Sequence, residues 1–331
     1  PEHLNWYAHK GGGESAWRKF DNVVGVVHTN YPKYARTEHS HLPLGFVLDP
    51  LLLGPVKGLF TLGIVKWMCR AHCHEVVKLS NALPRHLGGR DVVSNVHGVR
   101  NVFLAKGEEK ASTSPFFHLK ADSPLISAVP HGPESLTSGA YFVGKMLWQK
   151  GLGQLASLLA KTQHTYYGGT LPSDFHVIGD GPDAEAIQRR FDRLKIRAVF
   201  RGSRDHAKAA ANYRVLVNPS ETEVLCTTVA EALAMGKWVI VKRHPSNEFF
   251  YQFPTCLAFS SFPEFAKAYS HALNHEPPAL TRELRHTLTW EAATDRFCAA
   301  ATSNRKVPRL NKFAAFAHVQ LGRGFLGDVL R

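Results

Sequence analysis

The chain has 331 residues, enough for two domains, and its 44% hydrophobic and 11% aromatic residues are ordinary for a soluble globular protein. Its formal charge of +13 predicts an anionic partner: a nucleotide diphosphate, an acidic membrane surface or a nucleic acid. Five cysteines, an odd number in mostly apolar contexts, indicate a reducing compartment and argue against a disulfide framework. Because the chain opens on Pro1 without a signal-like segment, we expect a fragment whose targeting sequence is missing.

Residues 1–104 alternate between strand-like and helix-like pieces. A run of valines predicts a buried strand over Val23–His28, and the pattern of Trp67–Leu79 predicts a helix followed by a strand. A further strand is predicted over Val92–Val96. Residues 105–137 are rich in Ser, Thr, Pro and Gly, so we predict a loop that joins two domains there.

The most apolar stretch of the chain is Leu42–Val65. Three prolines, an aspartate and a lysine interrupt it, whereas a membrane span needs about 20 apolar residues without such breaks. No transmembrane helix is therefore predicted. Two interpretations stay open, a hydrophobic segment that anchors the protein at a membrane interface and a helix hairpin in the core.

From Gly139 onward the pattern is more regular. Strands are predicted over Tyr141–Val143, Phe175–Ile178, Val199–Arg201, Val215–Val217 and Trp238–Val241, and helices over Leu152–Lys161, Ala184–Leu194 and the segment from Cys226 to Gly236. Alternation of strands and helices predicts a doubly wound parallel sheet. In such sheets ligands bind beyond the carboxyl ends of the strands, where each of the following motifs lies.

Two glutamates frame the start of the helix that Gly236 closes. Glu223 precedes the helix and Glu231 lies two turns inside it, with seven residues between them. Cys226, Thr227 and Thr228 fall at the helix N-terminus, where free amides and the positive dipole end favour a phosphate. An anion site between two hydrogen-bond acceptors fits a sugar nucleotide. The alternative is that Glu231 is a solvated residue of an ordinary helix.

Two lysines follow the strand Tyr141–Val143. Lys145 and Lys150 can converge on one diphosphate and neutralise the charge that grows on a leaving nucleotide. A lone Lys150 would be interpreted as solvating a helix start. The preceding Gly144 and the paired glutamates downstream favour the functional interpretation.

Two glycine turns and one histidine complete the candidates. Gly179 follows the strand Phe175–Ile178, and Gly202 follows the next strand. The turn at Gly179 lacks the third glycine of a dinucleotide site, which counts against an oxidoreductase. His28 ends the first predicted strand, where it either faces a cleft between domains or caps the strand.

Three other patterns give weaker signals. Lys10–Glu14 looks like a phosphate loop, but no strand leads into it. Cys69, His72, Cys73 and His74 lie close together, yet no second ligand pair follows at zinc spacing, so no metal site is predicted. The basic residues are spread and carry no nucleic-acid motif, so we predict no nucleic-acid partner.

Several segments together resemble a known family. The paired glutamates and Gly144–Gly151 are similar to the donor-binding elements of retaining glycosyltransferases with the GT-B fold. Together with HLNWYAHK, FDNVVGVVHTNY, HPSNEFF and LTWEAATDRF, they resemble the digalactosyldiacylglycerol synthases of plants and algae, over residues 1–104 and 138–298. The resemblance implies an α/β protein of two Rossmann-like, doubly wound parallel-sheet domains that face each other across a cleft, the N-terminal one incomplete.

The implied division has four parts. Residues 1–137 form the acceptor-side domain and residues 138–287 the nucleotide-sugar domain. Residues 288–304 form a helix that packs back toward the first domain, and residues 305–331 a basic and apolar tail.

The resemblance also implies a role for each candidate residue. Lys145 and Lys150 stabilise the leaving diphosphate, Glu223 orients the galactose hydroxyls, Glu231 holds the ribose and His28 supports the sugar. The donor-binding set consists of Gly144, Gly179, Gly202, Cys226, Thr227, Thr228, Glu231, Asn247 and Glu248. The family often has glycine at the position of Cys226, which we interpret as a small apolar substitute with a modest thiol sensitivity.

The implied reaction is retaining transfer of galactose from UDP-galactose to monogalactosyldiacylglycerol, with no metal or other cofactor. The implied location is the plastid outer envelope, with peripheral attachment to an anionic surface that faces a reducing compartment. Two alternatives stay open: a GT-B enzyme with a soluble glucan or sugar phosphate as acceptor, and a truncated, non-catalytic paralogue that binds membrane or nucleotide. With an incomplete first domain, the 331-residue chain is expected to bind UDP weakly and to transfer no galactose.

Overall fold

The computed structural model describes residues 20–33, 54–113, 139–211, 213–302 and 313–317. The chain forms two compact units, the first from residues 1–96 and 295–331 and the second from residues 97–294. Residues 97–113 belong to the second unit, and the four-part division implied by the resemblance stays a prediction. The Lys10–Glu14 segment, residues 42–53 and most of the predicted tail lie outside the described residues.

The first unit contains, in its described part, a parallel sheet of three strands and one long helix. These are β1 (Val24–Val27), α1 (Gly54–His72), β2 (Glu75–Lys78) and β3 (Asp91–Val93), with the strands in the order β1-β2-β3. Val76 and Val77 of the central strand are fully buried. Val65, Met68 and Cys69 of α1 pack into one core cluster with Val76. The predictions of strands near Val23, Glu75 and Val92 are confirmed, but the prediction that the first strand is buried was wrong, because Val26 is 42% exposed and the rest of β1 is half-buried.

The second unit is a larger parallel sheet with helices between its strands. Its elements are α2 (Asn101–Thr113), β4 (Gly139–Val143), α3 (Leu152–Tyr166), β5 (Phe175–Ile178), α4 (Ala184–Arg193), β6 (Ala198–Phe200), α5 (His206–Ala209), β7 (Tyr213–Asn218), α6 (Thr227–Ala234), β8 (Trp238–Lys242), β9 (Cys256–Phe259), α7 (Phe262–Asn274) and α8 (Arg282–Thr287). In its described part this unit also contains two 3-10 helices, Trp148–Lys150 and Pro245–Gln252, and the start of α9 (Trp290–Ala301), whose residues from Asp295 onward belong to the first unit.

The order of the strands in this sheet creates a switch point. The order is β6-β5-β4-β7-β8-β9, and every neighbouring pair is parallel. The chain runs outward from β4 through β5 to β6, and then returns to place β7 on the other side of β4. Connections from β4 and β7 therefore leave in opposite directions and open a crevice at the carboxyl ends of these two strands, where doubly wound sheets bind ligands. The predicted doubly wound parallel sheet is confirmed.

Continuous apolar runs explain why these segments form central strands. Val215, Leu216 and Val217 of β7 are fully buried, as are Val239 and Ile240 of β8. Strands covered by helices on both faces need this composition, because neither face meets water.

The prediction of a loop beginning at residue 105 was wrong for residues 105–113. These residues are part of α2, which packs against α6. Phe103 is fully buried, and Ala, Glu and Lys favour a helix over the rest of the segment. Gly107 permits the close approach, since a Cβ atom there would lie 2.0 Å from the carbonyl oxygen of Ala234. Most of the Ser, Thr and Pro residues that suggested a loop follow this helix, and only Ser112 and Thr113 lie within it.

Two lysines lie near helices α2 and α6, Lys237 buried and Lys110 half-buried. Lys237 Nζ donates to the carbonyl oxygen of Tyr213 at 2.5 Å, and Lys110 Nζ donates to that of Gly236 at 2.9 Å. Burial lowers the pKa of Lys237 to about 7 and the pKa of Lys110 to about 8. Their ammonium groups are thus held in an environment that disfavours charge.

Candidate functional site

The candidate site lies in the second unit, at the switch point between β4 and β7. The loop after β4 carries Gly144, Lys145 and Lys150, and the loop after β7 carries Glu223 and leads into α6. Side chains predicted from two separate motifs therefore meet at one edge of the sheet.

Lys150 and Glu223 form an ion pair. Lys150 Nζ donates to Glu223 Oε1 at 2.5 Å, and the two side chains are only 22% and 18% exposed. The Thr222 hydroxyl donates to the carbonyl oxygen of Gln149 at 2.9 Å, which joins the two loops beside the pair. The structure thus brings together the two residues predicted to contact the diphosphate and the sugar.

Gly151 fixes the close approach of these two loops. Its φ of +79° lies in the left-handed region, and a Cβ atom would lie 2.9 Å from the carbonyl oxygen of Pro219. Any other residue would be strained and would press the β4 loop away from the β7 loop. The glycine that ends the predicted lysine motif therefore has a geometric reason to be there.

Helix α6 starts between the two glutamates, as predicted. Cys226 is the N-cap residue, Thr227 is exposed and Thr228 is half-buried. The first amides of an α-helix have no acceptor within it, so the exposed start of α6 suits an anion.

The predicted thiol sensitivity of Cys226 was wrong. Its side chain is buried and lies 2.7 Å from Asn218 Nδ2 and 3.1 Å from the Thr228 hydroxyl. Burial raises the pKa of the Cys226 thiol to about 12, with a further contribution from the charge of Glu223. The sulfur fills space at the helix start and stays protonated, because desolvation outweighs the helix dipole.

Glu231 is held by a chain of buried side chains. Its Oε2 lies 2.6 Å from His206 Nδ1, and His206 Nε2 lies 2.9 Å from the Tyr141 hydroxyl. Glu231 is 20% exposed and His206 only 7%. Glu231 is therefore a fixed, half-buried carboxylate, and the alternative of a solvated helix residue is wrong.

The three predicted glycine turns lie side by side at the carboxyl ends of β4, β5 and β6. Gly144 N donates to the carbonyl oxygen of Ile178, and Gly179 N donates to that of Gly202. Gly179 has a φ of +145°, and a Cβ atom there would lie 1.9 Å from the carbonyl oxygen of Gly144. Gly179 is needed for this packing, whereas a Cβ atom at Gly202 would meet nothing within 4 Å. Contact of the three glycines with a nucleotide stays a prediction.

The remaining candidates lie in different surroundings. Lys145 is exposed on the β4 loop. Asn247 is buried and donates to the carbonyl oxygen of Lys242 at 2.8 Å, while Glu248 next to it is exposed. His28 follows β1 in the first unit. The roles of these residues stay predictions.

Three further residues belong to this region and were not predicted from the sequence: Tyr141, His206 and His97. The His97 ring lies 5.0 Å from that of Trp290, and burial lowers the pKa of His97 while the charge of Glu231 raises it. No motif links these positions, because they meet only once the sheet has folded. The one local signal was Asp205, which caps α5 and so fixes the position of the following His206.

No group of three or more His, Cys, Asp or Glu residues within the described parts of the chain is arranged to hold a metal ion. In the cysteine-rich segment, Cys69 and Cys73 are free thiols in the first unit, and burial raises the pKa of each to about 12.

The sequence of the chain is similar to a known protein family and to curated proteins. Residues 138–275, which include every predicted donor-side residue from Gly144 to Glu248, match the family of glycosyl transferases group 1. Digalactosyldiacylglycerol synthase 1 of Glycine max is 41% identical over 301 residues, and digalactosyldiacylglycerol synthase 2 of Arabidopsis thaliana is 37% identical over 333 residues. The chain is a homologue of the digalactosyldiacylglycerol synthases. The alignments cover 90% and 98% of this chain, but only 33% and 62% of the two relatives.

The fold comparison agrees. The TarM protein of S. aureus, solved in complex with UDP, matches 85% of this chain and 50% of its own with a TM-score of 0.53 and 12% identity. At this identity the match concerns the fold alone, and it confirms the predicted GT-B class.

Proposed function

We propose that the second unit binds UDP-galactose and serves a glycosyltransferase that transfers galactose to monogalactosyldiacylglycerol with retention of configuration. The observation that carries the proposal is the Lys150–Glu223 pair at the switch point, beside the start of α6 and in the same unit as the anchored Glu231. The names of the relatives, which are synthases of digalactosyldiacylglycerol, support the choice of sugar and acceptor.

In this proposal each charge meets a part of the donor. Lys150, with the exposed Lys145 and the amides at the start of α6, stabilises the diphosphate as the glycosidic bond breaks. Glu231 accepts from the ribose hydroxyls and Glu223 from the galactose hydroxyls. The diphosphate that leaves takes up the proton of the acceptor hydroxyl on the same face of the sugar, and this chemistry is proposed to proceed without a bound metal.

In this proposal Lys150 has two alternative partners, Glu223 and the diphosphate of the donor. It is paired with Glu223 before the donor binds and must turn toward the diphosphate, or bridge both, once the donor is present. Glu223 is thereby released to accept from the sugar. Binding of the donor thus exchanges one half-buried ion pair for contacts to phosphate and sugar.

We further propose peripheral attachment to the chloroplast outer envelope. The relatives are named chloroplastic, and none of the described helices is long and apolar enough to span a membrane. Helix α1 exposes Val56, Leu59 and Phe60, which are 62% to 67% accessible, beside Lys57 and without any acidic residue along its length. Such a face suits an anionic lipid surface.

The test of the function is a transfer assay on the natural full-length polypeptide. UDP-galactose is offered with monogalactosyldiacylglycerol in mixed micelles, and in parallel with a soluble glucan. The proposal expects an α-linked digalactosyl lipid and no labelled glucan, and Lys150→Ala should lower kcat more than KM because charge on the leaving group is greatest in the transition state. Transfer to the glucan alone would contradict the acceptor, and no transfer to either, despite UDP binding, would contradict the enzymatic role.

The test of the membrane proposal uses vesicles. Binding to vesicles that contain anionic lipid should fall as salt is raised, and replacing both Leu59 and Phe60 by Ser should weaken it. Retention of the protein on chloroplast membranes through both high salt and alkaline carbonate would contradict peripheral attachment.

A further inference from the structure

The chain of side chains behind Glu231 has a defined direction. An ionised carboxylate can only accept hydrogen bonds, so the proton in the contact with Glu231 Oε2 belongs to His206 Nδ1. In a neutral imidazole Nε2 then accepts, and the Tyr141 hydroxyl 2.9 Å away donates to it. Burial raises the pKa of Tyr141 well above its ordinary value, which keeps this hydroxyl protonated.

The histidine is fixed from several sides. Its ring packs against those of Phe103 and Tyr141, with centroids 5.5 Å and 5.8 Å away. Asp205 accepts from the backbone amide of Lys208 and so fixes the start of the short helix that carries His206. These contacts restrict the imidazole, and its bond to Oε2 favours one orientation of the Glu231 carboxylate.

The bond to His206 also gives the two carboxylate oxygens of Glu231 different roles. Oε2 is occupied by the imidazole, and in the described part of the chain the Glu231 side chain makes no other hydrogen bond. Oε1 is the oxygen left to accept from a ligand. A ribose presents two neighbouring hydroxyls, and a carboxylate whose rotamer is already fixed binds such a pair without ordering a flexible side chain at that moment.

We propose that His206, supported by Tyr141, is a positioning residue that orients Glu231 toward the ribose diol of the nucleotide donor. This inference rests on the proposed function, since it takes the ligand of Glu231 from it. It adds two residues that lie 25 and 90 positions upstream of Glu231 in the sequence and that no donor-site motif contains.

The test measures the dissociation constants of UDP and of 2′,3′-dideoxy-UDP by calorimetry on the 331-residue chain. The wild-type chain should prefer UDP by about tenfold or more, because hydrogen bonds to a charged acceptor are among the stronger ones. His206→Ala should reduce this preference to below about threefold while the affinity for the dideoxy nucleotide changes little. His206→Asn, which keeps an N–H close to the position of Nδ1, should restore most of the preference.

Tyr141→Phe separates positioning from folding. It should lower the preference for UDP, whereas Tyr269→Phe should not. Tyr269 is an equally buried tyrosine of the same unit, and its hydroxyl has no hydrogen-bond partner among the described residues. Should His206→Ala fail to fold, His206→Asn and Tyr141→Phe still decide the question.

The possible outcomes distinguish failure of the positioning role of His206 from failure of the proposed function. A wild-type preference for UDP that survives in His206→Ala and in Tyr141→Phe, or an equal loss of affinity for both nucleotides, would overturn the positioning role and leave the donor site intact. UDP binding by the wild-type chain without any preference over the dideoxy nucleotide would overturn the ribose contact of Glu231, and the inference with it. Absence of UDP binding would overturn the proposed function itself.

Discussion

Replacing Glu223 by Gln should tighten the binding of UDP and lower the preference for UDP-galactose over UDP. Glu223 competes with the diphosphate for Lys150, so removing its charge frees Lys150 and makes UDP bind more tightly. The same change removes the carboxylate that accepts from the galactose hydroxyls. The preference for UDP-galactose over UDP should therefore fall, even though UDP itself binds better.

The size of the gain follows from the burial of the pair. Exposed ion pairs contribute about 0.2–1 kcal/mol, and removing one partner of a fully buried pair costs about 3–5 kcal/mol. Lys150 and Glu223, 22% and 18% exposed, lie between these limits. Releasing Lys150 should make about 1–2 kcal/mol available, which lowers the dissociation constant of UDP roughly 5- to 30-fold.

Calorimetry should measure the dissociation constant of UDP for Glu223→Gln, Lys150→Ala and a charge-matched control, and so test whether Glu223 competes with the diphosphate for Lys150. Asp174→Asn is the control, because it also removes one negative charge from an ion pair, that with Arg197 at 2.6 Å, and lies at the opposite end of β5. It should leave the affinity for UDP unchanged, and Lys150→Ala should weaken it. Unchanged or weaker UDP binding by Glu223→Gln would refute the competition for Lys150.

Three further predictions concern the surrounding unit. Gly107→Ala should lower the melting temperature, since its Cβ atom has no room, whereas Gly63→Ala, in a helix with nothing within 4 Å, should be neutral or stabilising. Lys237→Met should raise the melting temperature more at pH 6 than at pH 9. Its folded pKa of about 7 lies below the unfolded value of roughly 10.4, so burial destabilises the native state fully below pH 7 and less as pH rises. Iodoacetamide should modify the exposed Cys298 in the native protein and Cys226 only after unfolding.

Each of these three predictions has a result that would contradict it. Equal melting temperatures for the two glycine variants would contradict the close helix contact. A stability difference between Lys237→Met and wild type that does not depend on pH would contradict the lowered lysine pKa. Modification of Cys226 at a rate similar to that of Cys298 in folded protein, followed by peptide mass spectrometry, would contradict the burial of its thiol.

The central strands could be predicted because a strand that is buried on both faces needs a continuous apolar run, such as those that include Val215 and Val239. The glycine at 236 similarly marks the end of α6, and its φ of +64° is the left-handed conformation that such a position requires. Local composition was therefore sufficient to predict these strands and the end of α6.

The site could be predicted only as separate motifs. The lysine loop and the glutamate loop lie more than 70 residues apart, and the sequence alone does not state that β7 returns to the side of β4. The contact of His206 with Glu231 depends on the same folding step. The helix over 105–113 was missed because a single buried residue, Phe103, and a close glycine contact stabilise it, and neither is visible as a periodic pattern.

The most direct test of the account is a crystal structure of the chain with UDP. We predict the diphosphate within hydrogen-bond distance of Lys150 and the first amides of α6, and the ribose hydroxyls on Glu231, whose bond to His206 is retained. UDP bound away from the ends of β4 and β7, or with its ribose turned away from Glu231, would contradict the central claim.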